Sequence, residues 1–155
     1  MTIRVATPDD FDDIVALIGL MHVENGRAPL SASKVERLAA RGTNRDKAIV
    51  GVIGAPGAIE ASIGLFIESF WYSDAPLLGD LWNFVHPDHR RSTHAKTLID
   101  WAKSMSDAMD IPLGMGVMSI SRIPQKVALY ERRLGPPVGA AFWHEPANGG
   151  ATWAS

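Results

Sequence analysis

The sequence contains no cysteine, which excludes disulfide bonds, thiolate nucleophiles and zinc sites built on cysteine. It also has no apolar run of the ~18–20 residues that a membrane-spanning helix requires. The opening residues 1–6 lack a basic segment followed by an apolar stretch, so no secretory signal is expected. Together these absences predict a soluble protein located in the cytoplasm.

The chain has no large excess of charge of either sign. Fifteen basic and seventeen acidic residues give a formal net charge of −2. Proteins that bind nucleic acid or anionic membranes are usually clearly basic, so neither partner is expected. Charge is uneven, because no Lys or Arg falls between Lys47 and Arg90, and eight of the fifteen basic residues lie from Arg90 onward. This pattern indicates a localised anion site in the second half, although ordinary solvated helix faces also fit it.

What the chain does have is apolar material. It is 155 residues long and 46% apolar, which suits one globular domain with a real core. No repeat or long linker divides it. We therefore expect a single domain over residues 1–155, with a core of about 2–144 and a short C-terminal tail over 145–155.

Hydrophobic periodicity and turn residues predict the order β α α β β β α β α β. This order places antiparallel strands first and a βα unit with a long helix after them. The helices are expected from Pro8 to Asn25, from Ser31 or Ser33 to Gly42, over 93–109 and over 124–133, and the strands over 3–6, 48–54, 59–71, 77–85, 113–118 and 138–143.

Three histidines lie close together in the sequence and raise the question of a metal site. They are His86, His89 and His94. No cysteine supports them, and the other two histidines, His22 and His144, are remote. On sequence alone we therefore expect no metal.

The stretch from Leu81 to Leu98 is the most informative part of the sequence. A strand ends at Val85, Pro87 turns the chain, and a long helix begins near Thr93. Unpaired backbone N–H groups and the positive end of the helix dipole converge at such a helix start. The pattern predicts an anion site that suits a pyrophosphate.

Here the sequence resembles the GNAT acetyltransferase superfamily, whose members carry Val-x-Pro-x-x-Arg followed by a glycine-rich loop and a long helix. The matching positions are Val85, Pro87, Arg90, Ala95 and Leu98. Two further segments, Ile3 to Asp10 and Val127 to Gly135, resemble the opening and the late Leu-Tyr-Glu-x-x-Gly motif of the family. The loop itself resembles a variety common in phage-related bacterial sequences.

The resemblance implies an α/β (α+β) fold. Its sheet is mixed and mostly antiparallel, with helices on both faces and with strands 4 and 5 splayed apart. It also implies transfer of an acetyl group from acetyl-CoA to a primary amine by direct attack. The residues expected to hold the cofactor are Phe84, Val85, Arg90, Arg91, Ser92, Thr93, His94, Ala95, Lys96 and Lys126.

The chain departs from the family where the loop glycines usually stand, because Arg91 and Thr93 replace them. These side chains either crowd the cofactor or add donors to its phosphates. We favour added donors, since Arg91, Thr93 and His94 all carry polar hydrogens. For Lys126, contact with the phosphates and simple solvent exposure are both open.

For the chemistry, the resemblance points to Tyr130 as the acid that meets the leaving sulfur; the alternative is a tyrosine packed in the core. Strict strand alternation places Asn83 on the face of Val85 and Asp80 on the other face, unless a bulge intervenes. Asp80 is therefore one candidate base, beside water-mediated deprotonation or another residue. Asn83 is expected to orient the substrate.

Two functions remain open at this point. One is an acetyl-CoA-dependent N-acetyltransferase with a small-molecule or protein amine as acceptor. The other is a non-catalytic CoA-binding or interaction module that keeps the fold. Trp71, Tyr72 and Trp82 either line an acceptor pocket or belong to the core or an interface. Four of the five tryptophans, at 71, 82, 143 and 153, lie in or near expected strands and the tail, which favours a homodimer, although the tail could also be held by its own domain.

Overall fold

The computed structural model describes residues 2–147, which form five strands and four α-helices. The elements, in chain order, are β1 (Ile3–Val5), α1 (Phe11–Asn25), α2 (Ala32–Thr43), β2 (Ala48–Ile53), β3 (Ala61–Glu68), β4 (Leu77–Val85), α3 (His94–Met109), β5 (Leu113–Gly114) and α4 (Ile123–Leu134).

All five strands form one sheet in the order β1-β2-β3-β4-β5. The first three pairings are antiparallel, and β4 pairs with β5 in parallel. This is the mixed, mostly antiparallel sheet that was predicted. The bounds of β4 agree with the prediction, whereas β5 is much shorter than the expected 113–118, because its pairing with β4 ends after two residues.

Helices cover both faces of the sheet, as predicted. One core cluster contains Val50, Phe66 and Trp82 and packs against residues of α1 and α2. The second contains Ile63 and Leu65 and packs against α3. The site described below lies on the α3 face.

A β-bulge interrupts β4 at Leu81. Gly64 pairs with Trp82, but the next residue, Leu65, pairs with Asp80, so Leu81 is the extra residue and its side chain is exposed. Trp82 is held on the opposite face, where its indole N–H donates to the Ser62 hydroxyl at 3.0 Å. A Cβ on Gly64 would approach the Trp82 ring to 2.5 Å, so the glycine makes room for this ring.

The predicted final strand over 138–143 is wrong. These residues have no regular secondary structure, and Val138 and Phe142 are exposed. Gly139, Ala140 and Ala141 are weak strand formers, and among the described residues no backbone hydrogen bond ties this segment to a strand. The part of the tail from 148 to 155, which includes Trp153, lies outside the described residues. Among residues 2–147, no helix is long and apolar enough to cross a membrane.

Candidate active site

The candidate site lies where β4 and β5 stop pairing. The parallel register ends at the pair Gly79 and Gly114. One residue further along β4, the Asp80 carboxylate accepts a hydrogen bond of 3.1 Å from the Gly116 N–H. A hydrogen bond to the Asp80 side chain thus takes the place of backbone–backbone pairing at the point where β4 and β5 separate.

The bulge at Leu81 decides which way Asp80 points. With strict alternation, the Asp80 side chain would lie on the face opposite to Asn83 and Val85. The extra residue, Leu81, shifts the alternation by one position, so the part of β4 that precedes it changes face. Asp80 pairs with Leu65 and Asn83 with Ile63, both of which belong to the α3-facing core. Asp80, Asn83 and Val85 therefore share one face.

Tyr130 reaches this face from α4. Its hydroxyl accepts a hydrogen bond of 2.8 Å from the side-chain amide of Asn83. The helix starts after Arg122, which adopts the left-handed conformation with φ 56°, and Pro124 occupies its first turn. Asn83 and Tyr130 are 47 positions apart in the chain, so only the tertiary fold brings them together.

Burial raises the pKa of the Asp80 carboxyl to about 6, and the nearby charge of Glu68 adds to the shift. The hydrogen bond from the Gly116 N–H lowers the pKa of Asp80, because it stabilises the charged carboxylate. Burial also raises the pKa of Tyr130, and the Asp80 carboxylate raises it further, against the opposing hydrogen bond from Asn83. Near neutral pH the site therefore combines a carboxylate of increased basicity with a tyrosine that keeps its proton.

This pairing suits general acid–base chemistry. A base works best when its pKa lies near the working pH, and about 6 is closer than the ordinary value of 3.8. The hydroxyl accepts from Asn83, which leaves its own proton to donate elsewhere. The influence of Glu68, at the end of β3, on the pKa of Asp80 was not predicted, because no local pattern links the two residues.

Backbone groups of β4 also face the opening beside β5. The His86 N–H donates to the Glu60 carbonyl at 2.8 Å, and bonded pairs alternate along an antiparallel ladder. The N–H and C=O of Val85 and Asn83 therefore point away from β3. By the same alternation, the N–H and C=O of Phe84 point toward β3. The backbone groups available for a ligand in the cleft are therefore those of Val85 and Asn83 rather than those of Phe84.

Arg90 is engaged within the protein. Its guanidinium donates to both carboxylate oxygens of Glu24 at the end of α1, at 3.1 and 2.6 Å. Its Nε donates to the Val85 carbonyl at 3.0 Å, and the group lies 5.0 Å above the Phe84 ring. The structure thus places Arg90 across the end of β4.

The remaining predicted donors surround the start of α3. Arg91 and Thr93 are exposed, and the N–H groups of Ala95 and Lys96 fall in the first helical turn, where the helix offers no acceptor. Ser92 is used locally, since its hydroxyl donates to the His89 carbonyl at 2.6 Å and accepts from the His94 N–H at 3.2 Å.

His94 is buried, and its ring nitrogen Nε2 lies 2.6 Å from a carboxylate oxygen of Glu60. Its side chain is thus anchored to the residue that precedes β3. Sequence reasoning missed Glu60, because 34 positions separate it from His94.

Lys126 is half-buried and donates to the Ser119 hydroxyl. Burial lowers the pKa of Lys126, and the neighbouring Arg90 and Arg122 lower it further, while Glu24 opposes them. The Ser119 hydroxyl in turn donates to Asn25 at 2.9 Å. The end of α1 is therefore tied to the segment after β5, a contact that no local signal predicted.

The three aromatic residues considered for an acceptor pocket separate in the structure. Trp82 is buried against Phe66, with ring centroids 5.7 Å apart, and belongs to the core. Trp71 and Tyr72 lie exposed in the β3–β4 loop, where Tyr72 stacks on Phe70 at 5.2 Å.

Comparison with solved structures finds the same architecture in acetyltransferases. A possible acetyltransferase from Clostridium difficile 630 superposes with a TM-score of 0.72 at 18% identity, covering 94% of this chain and 96% of that one. A predicted acetyltransferase from Clostridium acetobutylicum, solved with acetyl-CoA, gives 0.71 at 12% identity, covering 94% of each chain. AAC(6')-Iy, solved with the bisubstrate analog CoA-S-monomethyl-acetylneamine, gives 0.70 at 14% identity, covering 93% of this chain and 96% of that one.

No protein-family model and no curated protein matches the chain. The structural likeness nevertheless extends over almost its whole length. The chain therefore has the fold of the GNAT-type acetyltransferases, and the resemblance read from its sequence is confirmed at the level of the fold.

Proposed function

We propose that this protein is an acetyl-CoA-dependent N-acetyltransferase that acetylates a primary amine by direct attack. The observation that carries the proposal is the grouping of Asp80, Asn83 and Tyr130 where β4 parts from β5. The fold supports it, since solved neighbours with this architecture include complexes with acetyl-CoA and with a CoA-based analog.

Asp80 is the proposed base. Its carboxylate takes one proton from the protonated amine, directly or through a water molecule, which frees the nitrogen lone pair. The nitrogen then attacks the acetyl carbonyl carbon, so that a C–N bond forms and the C–S bond breaks, and the second proton that the nitrogen loses passes to the thiolate or to water. Glu68 adds negative charge beside Asp80, which favours a cationic acceptor.

Tyr130 is proposed to meet the leaving sulfur, which departs with the electron pair of the C–S bond. A thiol has a pKa of about 8.5, below that of tyrosine, so complete proton transfer is uphill. A hydrogen bond from the Tyr130 hydroxyl to the thiolate is therefore the expected contribution. Asn83 acts as a positioning residue, because its donated hydrogen bond fixes the orientation of that hydroxyl.

For the cofactor, we propose that the pyrophosphate rests on the N–H groups of Ala95 and Lys96, with Thr93 and Arg91 adding donors. The backbone of Val85 and Asn83 is proposed to bond the pantetheine arm. Arg90 has its place fixed by Glu24, so we assign it to shaping this end of the cleft.

We propose a small molecule bearing an amine as the acceptor. One solved neighbour is an aminoglycoside acetyltransferase from an uncultured soil metagenomic sample in complex with sisomicin, and this supports a small-molecule acceptor. The carboxylates of Asp80 and Glu68 supply the negative charge that would attract a protonated amine.

A homodimer is a further proposal. Val138, Phe142 and Trp143 are exposed apolar residues of the segment after α4, and the Trp143 ring lies 5.7 Å from the Arg27 guanidinium. Burying them against a second copy would remove apolar surface from water. Light scattering across a wide concentration range tests this proposal, and a mass of one chain throughout would refute it.

Two measurements on the same protein test the proposed activity. Calorimetric titration with CoA measures cofactor binding, and thiol release from acetyl-CoA over a panel of amines measures transfer. The proposal predicts binding together with amine-dependent thiol release, which Asp80→Asn slows by about 10²-fold or more. Binding without release for any amine would instead support the non-catalytic CoA-binding module.

A further inference from the structure

Three side chains outside the proposed catalytic group converge on one point behind the 86–93 loop. A single carboxylate oxygen of Glu60 lies 2.6 Å from Nε2 of His94 and 3.3 Å from Nδ1 of His89. The donor atoms of these three residues, here named the Glu60 cluster, all lie within 4.8 Å of one another. Two imidazoles and one carboxylate form a ligand set of zinc sites that keep one position open.

The backbone positions the cluster from two sides. Glu60 directly precedes β3, and its carbonyl accepts from the His86 N–H. His89 closes the one-turn 3-10 helix Pro87–His89, and His94 is the first residue of α3. The His89 and His94 rings are inclined by only 29° with centroids 6.1 Å apart. Zinc holds such donors at ~2.0–2.1 Å, so the donor atoms, which lie within 4.8 Å of one another, must rearrange around a bound ion.

The cluster has an entry path. A cavity of about 450 Å³ between α1 and the β2–β3 turn is lined by Glu60 and His89, with His86 and Asp13 also on its wall. His94 is buried and does not line the cavity. An ion that enters from the cavity would bind the three side chains and keep a water molecule as its fourth ligand.

We propose that Glu60, His89 and His94 bind one Zn²⁺ ion. The sequence-based expectation of no metal considered the histidines alone and missed Glu60, which the fold brings beside them. Bound zinc ties the 86–93 loop to the start of β3, directly behind the N–H groups proposed to hold the pyrophosphate. The same residues also form a hydrogen-bonded contact without metal, and this is the competing explanation.

Glu60→Gln and His89→Gln separate the two explanations. Glutamine keeps a hydrogen-bond acceptor at position 60 but is a poor zinc ligand, and His89 is exposed enough to be replaced without disturbing the core. His144→Gln, which changes an exposed histidine far from the cluster in sequence, is the matched control.

Zinc titration in competition with a chromophoric chelator is the decisive measurement. The proposal predicts one Zn²⁺ per chain, a loss of affinity of at least about tenfold in both cluster variants, and unchanged binding in the control. Zinc should also raise the melting temperature of the wild type and of His144→Gln, but not of His89→Gln. Absence of stoichiometric binding, or equal affinity in all four proteins, would overturn the proposal.

A second arm rests on the proposed function. CoA affinity is measured with and without saturating zinc, and tighter binding with zinc is expected because the ion holds the loop in place. Equal CoA affinity would overturn the coupling. Absence of CoA binding in both conditions would count against the acetyltransferase proposal, while the zinc titration would still stand by itself.

Discussion

The side-chain amide of Asn83 donates a 2.8 Å hydrogen bond to the hydroxyl of Tyr130 and thereby links β4 to α4. The bulge at Leu81 places Asp80 on the same face of the strand as Asn83. Carboxylate, amide and phenol thus meet on one side of the sheet. The predictions below depend on that arrangement.

The pH dependence of kcat/KM should show a rising limb with an apparent pKa of about 6, because the reactive form of Asp80 is the carboxylate. Asp80→Asn keeps an oxygen to accept the Gly116 N–H but cannot take a proton. It should lower kcat/KM by about 10²-fold or more and remove this limb. Asp107→Asn, at an exposed position near the end of α3, is the control and should keep the wild-type profile. An unchanged limb in Asp80→Asn would assign the base elsewhere.

Stability should depend on pH through the same group. Folding raises the pKa of Asp80 from 3.8 to about 6, so the folded state binds this proton more tightly than the unfolded state. The favourable contribution is therefore full below pH 3.8 and is lost as the pH rises through about 6. The free energy of unfolding of Asp80→Asn, relative to that of the wild type, should therefore rise by about 2 kcal/mol from pH 4 to pH 7. Urea unfolding at both pH values measures this, and an equal difference at the two would contradict the raised pKa.

Arg91→Ala should weaken CoA binding by about 1–3 kcal/mol, since a charged donor to a phosphate is lost. Arg90 is different, because its partner is Glu24. If Arg90 acts by shaping the cleft, Arg90→Ala and Glu24→Gln should weaken binding similarly. Calorimetry decides, with Arg37→Ala on α2 as control. Weaker binding in Arg90→Ala alone would show that this guanidinium contacts the cofactor itself.

Gly64→Ala should destabilise the fold by about 1–3 kcal/mol, because the new methyl group would stand 2.5 Å from the Trp82 ring. Chemical denaturation measures the loss. Gly139→Ala, at a glycine with open space around it, is the control and should change stability little. If Trp82 also anchors the bulge, Gly64→Ala should reduce kcat as well. Wild-type stability in Gly64→Ala would contradict the tight packing described.

The sequence predicted the elements whose signals are local. The alternation of β4, the turn at Pro87 and the periodicity of α3 and α4 lie within single stretches of chain, and the structure has them close to where they were expected. The 138–143 segment contains three strand formers, Val138, Phe142 and Trp143, but it is not a strand, because the Gly and Ala residues between them favour strands poorly.

The candidate site was only partly predictable for a related reason. Tyr130, Asn83 and Asp80 could be nominated from a family resemblance, but the face of Asp80 depends on the bulge. That bulge stands beside the packing of Trp82 over Gly64, a contact between two strands that no local pattern encodes. The partners of Arg90 and His94 lie 66 and 34 positions away, so sequence spacing gave no indication of them.

Tyr130→Phe shows whether the Tyr130 hydroxyl assists departure of the CoA sulfur, as proposed. The change keeps the ring and deletes only the hydroxyl. Turnover, CoA affinity and melting temperature are measured together, with Glu131→Gln, exposed on the same helix, as control. The account predicts that Tyr130→Phe lowers kcat by about 10²-fold or more while CoA affinity stays nearly unchanged. Full turnover with a lowered melting temperature would contradict it and make Tyr130 a structural residue.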